Sequence, residues 1–231
     1  MVGCKYDWPK LILTFKTSNM KLINKISIAV LMPLLIFVSC KKDTTDNVSK
    51  VVKVSYPEIT LNGNELAVVA VGAPYNDAGA KLKDDITGAI SDIQPASSNV
   101  NTAQPGLYVV TYSASNSNGF ETTATRLVAV TSVNNPIDRT GTYLRSATGI
   151  NCFITKIANG VYKVQNPGGA GIGVNTFVYM VETATNVYVA PPQPTDFGEM
   201  SVININFTAT GVTWNVINPS YGTGQRIFLK Q

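Results

Sequence analysis

The 231-residue chain contains no histidine and only three cysteines, and charged residues make up just 14% of it. Without histidine it has no imidazole for a zinc site, for a general base or for a Ser-His-Asp triad. No cluster with metal-ligand spacing and no nucleophile motif takes its place. We therefore expect no metal, no cofactor and no enzyme activity, and we look instead for signs of location and binding.

The N-terminal residues have the order of an export signal. Met20 is followed by two lysines and then by an apolar run, Ile26 to Val38, which is shorter than the roughly 20 residues that a spanning helix needs. The alternative is a transmembrane anchor, but a polar stretch begins directly after Cys40 and leaves such a helix nowhere to continue. We interpret residues 1–39 as a signal peptide, with Met20 as the expected translation start.

The sequence Phe37-Val38-Ser39-Cys40 resembles the lipobox of bacterial lipoproteins, in which a small residue precedes a cysteine that is acylated and becomes the new N-terminus. The resemblance implies lipidation of Cys40, which attaches the protein to the membrane, and a flexible tether over residues 40–50. Lys41-Lys42-Asp43 is similar to the charged signals of surface lipoproteins in the Bacteroides group. It implies a lipid-anchored protein exposed on the outer membrane.

Removal of the signal changes the charge and cysteine balance. Five of the 18 basic residues and one of the 14 acidic residues precede Cys40, so that 13 of each remain and the formal charge of +4 disappears. A neutral chain offers no basic face for phosphates, and nucleic acid is not an expected partner. Apart from Cys40 only Cys152 remains, and its apolar neighbours Phe153 and Ile154 favour burial over reactivity.

The composition after Cys40 predicts an all-β chain. Threonine, valine, asparagine and glycine are abundant, and no stretch shows a sustained apolar period of 3.6 residues. A short polar linker, 131–136, closed by a proline, divides the chain into two candidate domains, 51–131 and 137–231.

Two hairpins are predicted in the first domain. Leu107–Ser115 alternates apolar and hydroxylic residues, a turn signal follows, and Phe120–Val130 returns as a second strand. Glu58–Leu61 and Glu65–Val71 lie on either side of Asn62-Gly63-Asn64 and form the second candidate.

The first domain resembles the bacterial immunoglobulin-like domain first described in pesticidal crystal proteins. The similar stretches follow in the same order: 57–63, 72–80, 84–88, 106–114 and 126–130. The resemblance implies a β-sandwich that serves as a spacer or adhesion module, and it implies little about chemistry. Asp77, Asp84 and Asp85 have the oxygen ligands that calcium needs. Their spacing is not that of a calcium loop, and we expect a turn cap at Asp77 and solvated carboxylates at the other two.

The second domain also predicts antiparallel β structure, with about eight strands that suit a barrel or a sandwich. One hairpin joins Cys152–Ile157 to Val161–Val164 through Asn159-Gly160, and another joins Ser201–Thr208 to Val212–Ile217. In Ser201–Thr208 simple alternation places Val202 on one face and Ile203, Ile205 and Phe207 on the other.

This half resembles the C-terminal β domain of lipoproteins of unknown function from the Bacteroides group. The similar stretches are 140–145, 154–162 and 212–216. The resemblance implies an accessory role in polysaccharide uptake, with a polysaccharide or oligosaccharide and an outer-membrane uptake complex as partners.

Glycan binding requires exposed aromatic rings together with polar side chains that bond sugar hydroxyls. The aromatic candidates are Trp214, Tyr221, Tyr188 and Phe197, and the polar candidates are Asn215, Asn218, Gln193, Asp196 and Arg226. The strand patterns favour core positions for Trp214 and Tyr188, whereas Tyr221 and Phe197 fall in loops rich in proline and glycine. We therefore expect the binding site at these two loops. The glycine-rich stretch 168–173 lacks the lysine of a phosphate loop and is interpreted as a flexible connection.

Three classes of function stay open at this point. The first is a non-catalytic, glycan-binding surface lipoprotein, and the second is a structural or adhesion module that binds another envelope protein. The third is a glycosidase, which would need two converging carboxylates among Glu182, Asp196 and Glu199. We expect all three of these carboxylates to be solvated.

Overall fold

The computed structural model describes residues 54–134 and 136–231. The predicted signal peptide, Cys40 and the tether lie outside the described residues. The regular elements described are fifteen strands: β1 (Glu58–Leu61), β2 (Leu66–Ala70), β3 (Ala80–Lys83), β4 (Ile90–Ile93), β5 (Ser97–Ser98), β6 (Gly106–Ser115), β7 (Glu121–Thr131), β8 (Gly141–Arg145), β9 (Ile150–Ala158), β10 (Val161–Gln165), β11 (Phe177–Ala184), β12 (Val187–Thr195), β13 (Gly198–Phe207), β14 (Gly211–Ile217) and β15 (Gln225–Lys230). No helix in this part of the chain has the length and apolarity needed to cross a membrane.

Strands β1 to β7 form two sheets, one in the order β1-β3-β4 and the other in the order β2-β7-β6-β5. The predicted β6–β7 hairpin is confirmed, with Gly106 opposite Val130 and Ser115 opposite Glu121. The sheets enclose a core of buried residues that includes Val110, Tyr112 and Val128.

The predicted hairpin between β1 and β2 is wrong. β1 pairs antiparallel with β3, while β2 pairs parallel with β7 in the other sheet. The chain crosses between the sheets at residues 62–65, and the guanidinium of Arg126 donates hydrogen bonds to the carbonyl oxygens of Asn62 and Asn64. These carbonyls are bound by a distant side chain, so the crossing segment does not close a two-residue turn.

Strands β8 to β15 form a closed antiparallel barrel, in which β15 pairs with β8. The structure thus decides between the two predicted architectures in favour of the barrel, and both predicted hairpins are present. The interior is filled by apolar and aromatic side chains, and each valine, isoleucine, methionine or phenylalanine among them contributes roughly 1.5–3 kcal/mol when fully buried. They are Tyr143, Cys152, Ile154, Tyr162, Val164, Val178, Met180, Tyr188, Ala190, Met200, Val202, Val212, Trp214, Val216 and Phe228.

A β-bulge in β13 corrects the predicted alternation of that strand. The pairing with β14 slips between Ile203 and Asn206, and Asn204 adopts a φ of 55°. Val202 before the bulge and Ile205 after it therefore both pack against the barrel interior, although simple alternation separates them. Ile203 turns outward and is 44% exposed.

The outer wall of the barrel packs against the β2-β7-β6-β5 sheet. Leu66, Leu107 and Leu127 from the sheet form one buried cluster with Val161 and Val181 from the barrel. All described residues fall within one compact unit, 52–231. The two halves of the fold therefore share an apolar core.

Candidate functional site

Two loops meet at one end of the barrel, and they carry the two residues at which the sequence predicted a site. Phe197 lies between β12 and β13, and Tyr221 lies between β14 and β15. Their rings form an edge-to-face pair with centroids 6.1 Å apart and an interplanar angle of 71°. Phe197 is 38% exposed, so part of its ring is accessible to a ligand.

Asn218 holds these loops together. Its side-chain amide donates hydrogen bonds to the carbonyl oxygens of Phe197, at 2.9 Å, and Glu199, at 2.8 Å. Its Oδ1 accepts a hydrogen bond from the backbone N–H of Ser220 at 2.9 Å. The side chain is buried, so Asn218 positions Phe197 and has little capacity left for a ligand.

A groove of about 530 Å³ opens beside the loops. This volume lies within the 300–1,000 Å³ range of small-molecule sites. The apolar part of its lining comes from Pro192, Phe197, Ile217 and Pro219, and the polar part from Glu199, Ser201, Asn218, Ser220 and Thr223, with Gly198 between them. An exposed ring beside hydroxyl and carboxylate groups can pack on an apolar face of a small ligand and form hydrogen bonds with its polar groups.

Tyr221 is anchored against the glycine-rich loop. Its hydroxyl donates a hydrogen bond to the carbonyl oxygen of Ile172 at 3.0 Å, and a Cβ added at Gly168 or Gly173 would overlap the phenol. The glycine-rich stretch 168–173, predicted to be a flexible connection, therefore packs closely against the Tyr221 ring. Burial raises the pKa of Tyr221, and the phenol stays neutral at physiological pH.

Arg226 and Trp214 have structural roles, which corrects their prediction as ligand-binding residues. Arg226 is buried and donates hydrogen bonds to the carbonyl oxygens of Gly168, Tyr221, Gly222 and Gly224. Burial, together with the nearby positive charge of Arg145, lowers its pKa. Trp214 is fully buried, as its strand pattern indicated, and donates from Nε1 to the carbonyl oxygen of Pro167 at 2.8 Å.

Tyr188 is also not available to a ligand. It is buried in the barrel core at the opposite end from the Phe197 loop, where its hydroxyl accepts a hydrogen bond from Nε of Arg139 at 2.9 Å. Gln193 is buried as well, and its amide bonds both the N–H and the carbonyl oxygen of Tyr179. Asn215 donates to the carbonyl oxygen of Thr223 at 2.9 Å. Of the predicted set, only Phe197 and Asn218 line the groove as the structure describes it, and Tyr221 packs edge-on against Phe197 without lining the groove.

The three carboxylates considered for a glycosidase do not line one groove among the described residues. Glu182 was expected to be solvated, but it is 1% exposed, and its Oε1 accepts a hydrogen bond from the N–H of Asn186 at 2.8 Å. Asp196 accepts a hydrogen bond from the hydroxyl of Thr176 at 2.6 Å and does not line the groove. Glu199 is therefore the one acidic side chain in the groove lining that the structure describes.

The other acidic residues and the cysteine considered from the sequence lie outside the groove. Asp77 caps its turn by accepting from the N–H of Gly79, and it also forms a 2.7 Å ion pair with the buried Arg126. Asp84 accepts hydrogen bonds from two backbone N–H groups of its own loop. Within residues 54–134 and 136–231, no three histidine, cysteine or acidic side chains are grouped to hold a metal ion. Cys152 is buried, as predicted, and burial raises the pKa of its thiol.

Comparison with known proteins defines the class of the first half. Residues 59–130 match the family of bacterial surface protein Ig-like domains. The chain thus combines a bacterial surface Ig-like domain with a closed antiparallel barrel.

No curated protein matches the chain. Among solved structures it is similar to a lipoprotein from Bacteroides thetaiotaomicron, with 22% identity, coverage of 76% of this chain and 100% of that chain, and a TM-score of 0.35.

Proposed function

We propose that this protein is a surface lipoprotein that binds glycan, without catalysis, in the groove beside Phe197. The observation that carries the proposal is the groove itself, where an exposed aromatic ring is fixed next to the side chains of Glu199 and Ser220. An apolar ring stacks on the C–H face of a sugar, while hydroxyl and carboxylate groups bond its hydroxyls.

The fixed position of Phe197 strengthens this proposal. Asn218 binds the backbone at Phe197 and at Glu199, and the ring of Phe197 packs edge-on against Tyr221. A ligand would therefore meet a ring that is already in place, and binding would cost little conformational entropy.

The proposed location rests on other features. The match to a bacterial surface domain fits a protein of the cell envelope. Lipidation at Cys40 would attach it to the outer membrane, with the polysaccharide uptake machinery as its partner. A non-catalytic role is supported by the groove lining, since glycoside hydrolysis needs two carboxylates about 5–9.5 Å apart and only Glu199 is present.

The test is a glycan array followed by calorimetry on residues 48–231, which retain the whole compact unit. Phe197→Ala should weaken binding by about threefold to tenfold, the value of one aromatic stacking contact. Phe153→Ala is a matched control, because Phe153 is 42% exposed on the barrel wall and does not line the groove. Equal losses in the two variants, or no binding to any glycan by the folded protein, would refute the proposal.

The second candidate function is a spacer that binds another envelope protein. The apolar core shared by the two halves favours it, since a spacer must transmit position along its length. Crosslinking in intact cells, followed by identification of the attached envelope protein, would favour this function if the glycan screen is negative.

A further inference from the structure

A second concave site lies between the two halves of the fold, and it shares no lining residue with the Phe197 groove. Its inner part has a volume of about 300 Å³, and its outer part, of about 390 Å³, shares Phe177 and Pro194 with the inner part. We call the two parts together the inter-domain crevice. The Ig-like half contributes Glu65, Thr123, Ala124, Thr125 and Leu127, and the barrel contributes Asn175, Phe177, Tyr179, Gln193, Pro194, Thr195 and Asp196.

The floor of the crevice is rigid. Leu127 belongs to the apolar cluster that joins the halves, and Tyr179 packs against that cluster. The side-chain amide of Gln193 occupies both the N–H and the carbonyl oxygen of Tyr179, so the floor offers no free backbone groups at this residue. A peptide that binds by adding a strand needs free backbone N–H and C=O groups, and Tyr179 offers none. A ligand that binds through hydroxyl groups does not need them.

Two polar groups in the crevice have no hydrogen-bond partner among the described residues. One is the hydroxyl of Tyr179, and the other is the carboxylate of Glu65, which is exposed at the rim. They are close enough for the negative charge of Glu65 to add to the effect of burial in raising the pKa of Tyr179. A phenol that can donate beside a carboxylate that can accept matches the hydroxyl groups of a sugar.

Aromatic surface is present at the same place. The rings of Phe177 and Tyr179 form an edge-to-face pair with centroids 5.4 Å apart. The ammonium of Lys163 lies 3.8 Å from the centroid of Phe177 and covers one face of that ring. Phe177 is partly exposed and lines both parts of the crevice.

The charge of the lining selects among glycans. Glu65 lies in the inner part and Asp196 in the outer part, and no lysine or arginine is among the described residues that line either. The ammonium of Lys163 stacks on the Phe177 ring and is not part of the lining. The two carboxylates of the lining accept hydrogen bonds from sugar hydroxyls and disfavour uronates and sulfated sugars.

We propose that the inter-domain crevice is a second carbohydrate subsite, specific for an uncharged stretch of glycan, and that Phe177, Tyr179 and Glu65 form its contacts. The inference rests on the proposed function, because it assigns a second contact and a sugar class to the same binding activity. A chain that touches both the crevice and the Phe197 groove would gain from two weak contacts at once.

The test uses the full chain in a detergent without a sugar headgroup. Calorimetry would compare neutral hexasaccharides of glucose, xylose and mannose with a hexagalacturonate and a sulfated hexasaccharide. Phe177→Ala should weaken binding of the preferred neutral hexasaccharide by about threefold to tenfold. Glu65→Gln removes the charge but keeps the size of this side chain at the exposed rim. It should reduce the ratio between the affinities for neutral and for acidic hexasaccharides. Phe153→Ala should change neither measurement.

The outcomes separate this inference from the proposed function. Suppose that Phe197→Ala weakens binding but Phe177→Ala and Glu65→Gln leave it unchanged. This result would refute the crevice as a subsite and would still support binding in the Phe197 groove. A preference for an acidic hexasaccharide would overturn the assigned sugar class. If no hexasaccharide binds the folded protein, both proposals fail. If Phe177→Ala does not fold, the relative affinity of Glu65→Gln for neutral and acidic hexasaccharides tests the crevice. An unchanged ratio would refute it.

Discussion

Replacement of Asp77 by asparagine should destabilise the protein by about 3 kcal/mol. The Asp77 carboxylate accepts hydrogen bonds from the hydroxyls of Tyr75 and Tyr112 and from the N–H of Gly79, and it pairs with Arg126 at 2.7 Å. Loss of one partner from a buried ion pair costs about 3–5 kcal/mol, because the other charge stays buried without compensation. The lower value applies here, since the Arg126 side chain, only 2% exposed, keeps its hydrogen bonds to backbone carbonyl oxygens.

The measurement is urea denaturation followed by far-ultraviolet circular dichroism at pH 7. The matched control is Asp92→Asn, which breaks the ion pair between Asp92 and Lys81. The side chains of that pair are 72% and 54% exposed, so its loss should cost at most about 1 kcal/mol. Equal destabilisation by Asp77→Asn and Asp92→Asn would refute the argument from burial.

The stability contributed by Asp77 should also depend on pH, and the Asp77→Asn variant tests this. Burial of the Asp77 carboxyl raises its pKa, but the hydrogen bonds from Tyr112, Tyr75, Arg126 and the N–H of Gly79 outweigh burial and lower the pKa from 3.8 to about 2. Because the folded pKa lies below the unfolded one, the stability from this group is complete above about pH 4 and is lost as the pH falls towards 2. The stability difference between wild type and Asp77→Asn should therefore shrink over that interval, and a constant difference would contradict the assignment.

Three further predictions concern the turn of a hairpin, a thiol and the lipid anchor. Gly211→Ala should destabilise the barrel by about 2 kcal/mol or more, because the new Cβ would overlap the carbonyl oxygen of Phe228, whereas Gly224→Ala has open space and should cost little by thermal denaturation. Cys152 should resist a thiol reagent in the native protein and react at the rate of unfolding, since it is buried and burial raises its pKa; rapid reaction without denaturant would contradict this burial. Cys40→Ser should abolish incorporation of an alkyne-labelled fatty acid and release the protein from membranes; unchanged labelling would place the lipid elsewhere.

The fold class and most hairpins were predictable because they depend on short-range patterns. The β6–β7 hairpin and the pair joined by Asn159-Gly160 follow from alternation and turn residues that are close in sequence. The crossing at residues 62–65 was not predictable in the same way, because an Asn-Gly sequence suits a hairpin equally well. What decides there is Arg126, more than 60 residues away, which bonds the carbonyl oxygens of the crossing segment.

Part of the candidate site was also within reach of the sequence. Phe197 and Tyr221 stand in loops bounded by proline and glycine, and hairpin topology brings loops at one end of a barrel together. The burial of Arg226 was not apparent, because its partners are backbone carbonyl oxygens, which leave no mark on the sequence. Glu182 was missed for a similar reason, since its bond is to the backbone N–H of Asn186.

The inter-domain crevice lay wholly beyond sequence reasoning, and the reason bears on how the two halves work. Its walls are separated by more than 50 residues in the chain, from Thr123 to Phe177, and the packing of Leu127 against the barrel wall brings them together. A site of this kind exists only while both halves keep one relative orientation. The Ig-like half contributes Glu65 and Thr123 to the wall of the crevice, and the proposed crevice site thus needs both halves, which a simple spacer does not. Disruption of the shared core by Leu127→Asp should weaken the crevice contact of Phe177 while leaving the Phe197 groove, whose lining comes from the barrel alone, able to bind.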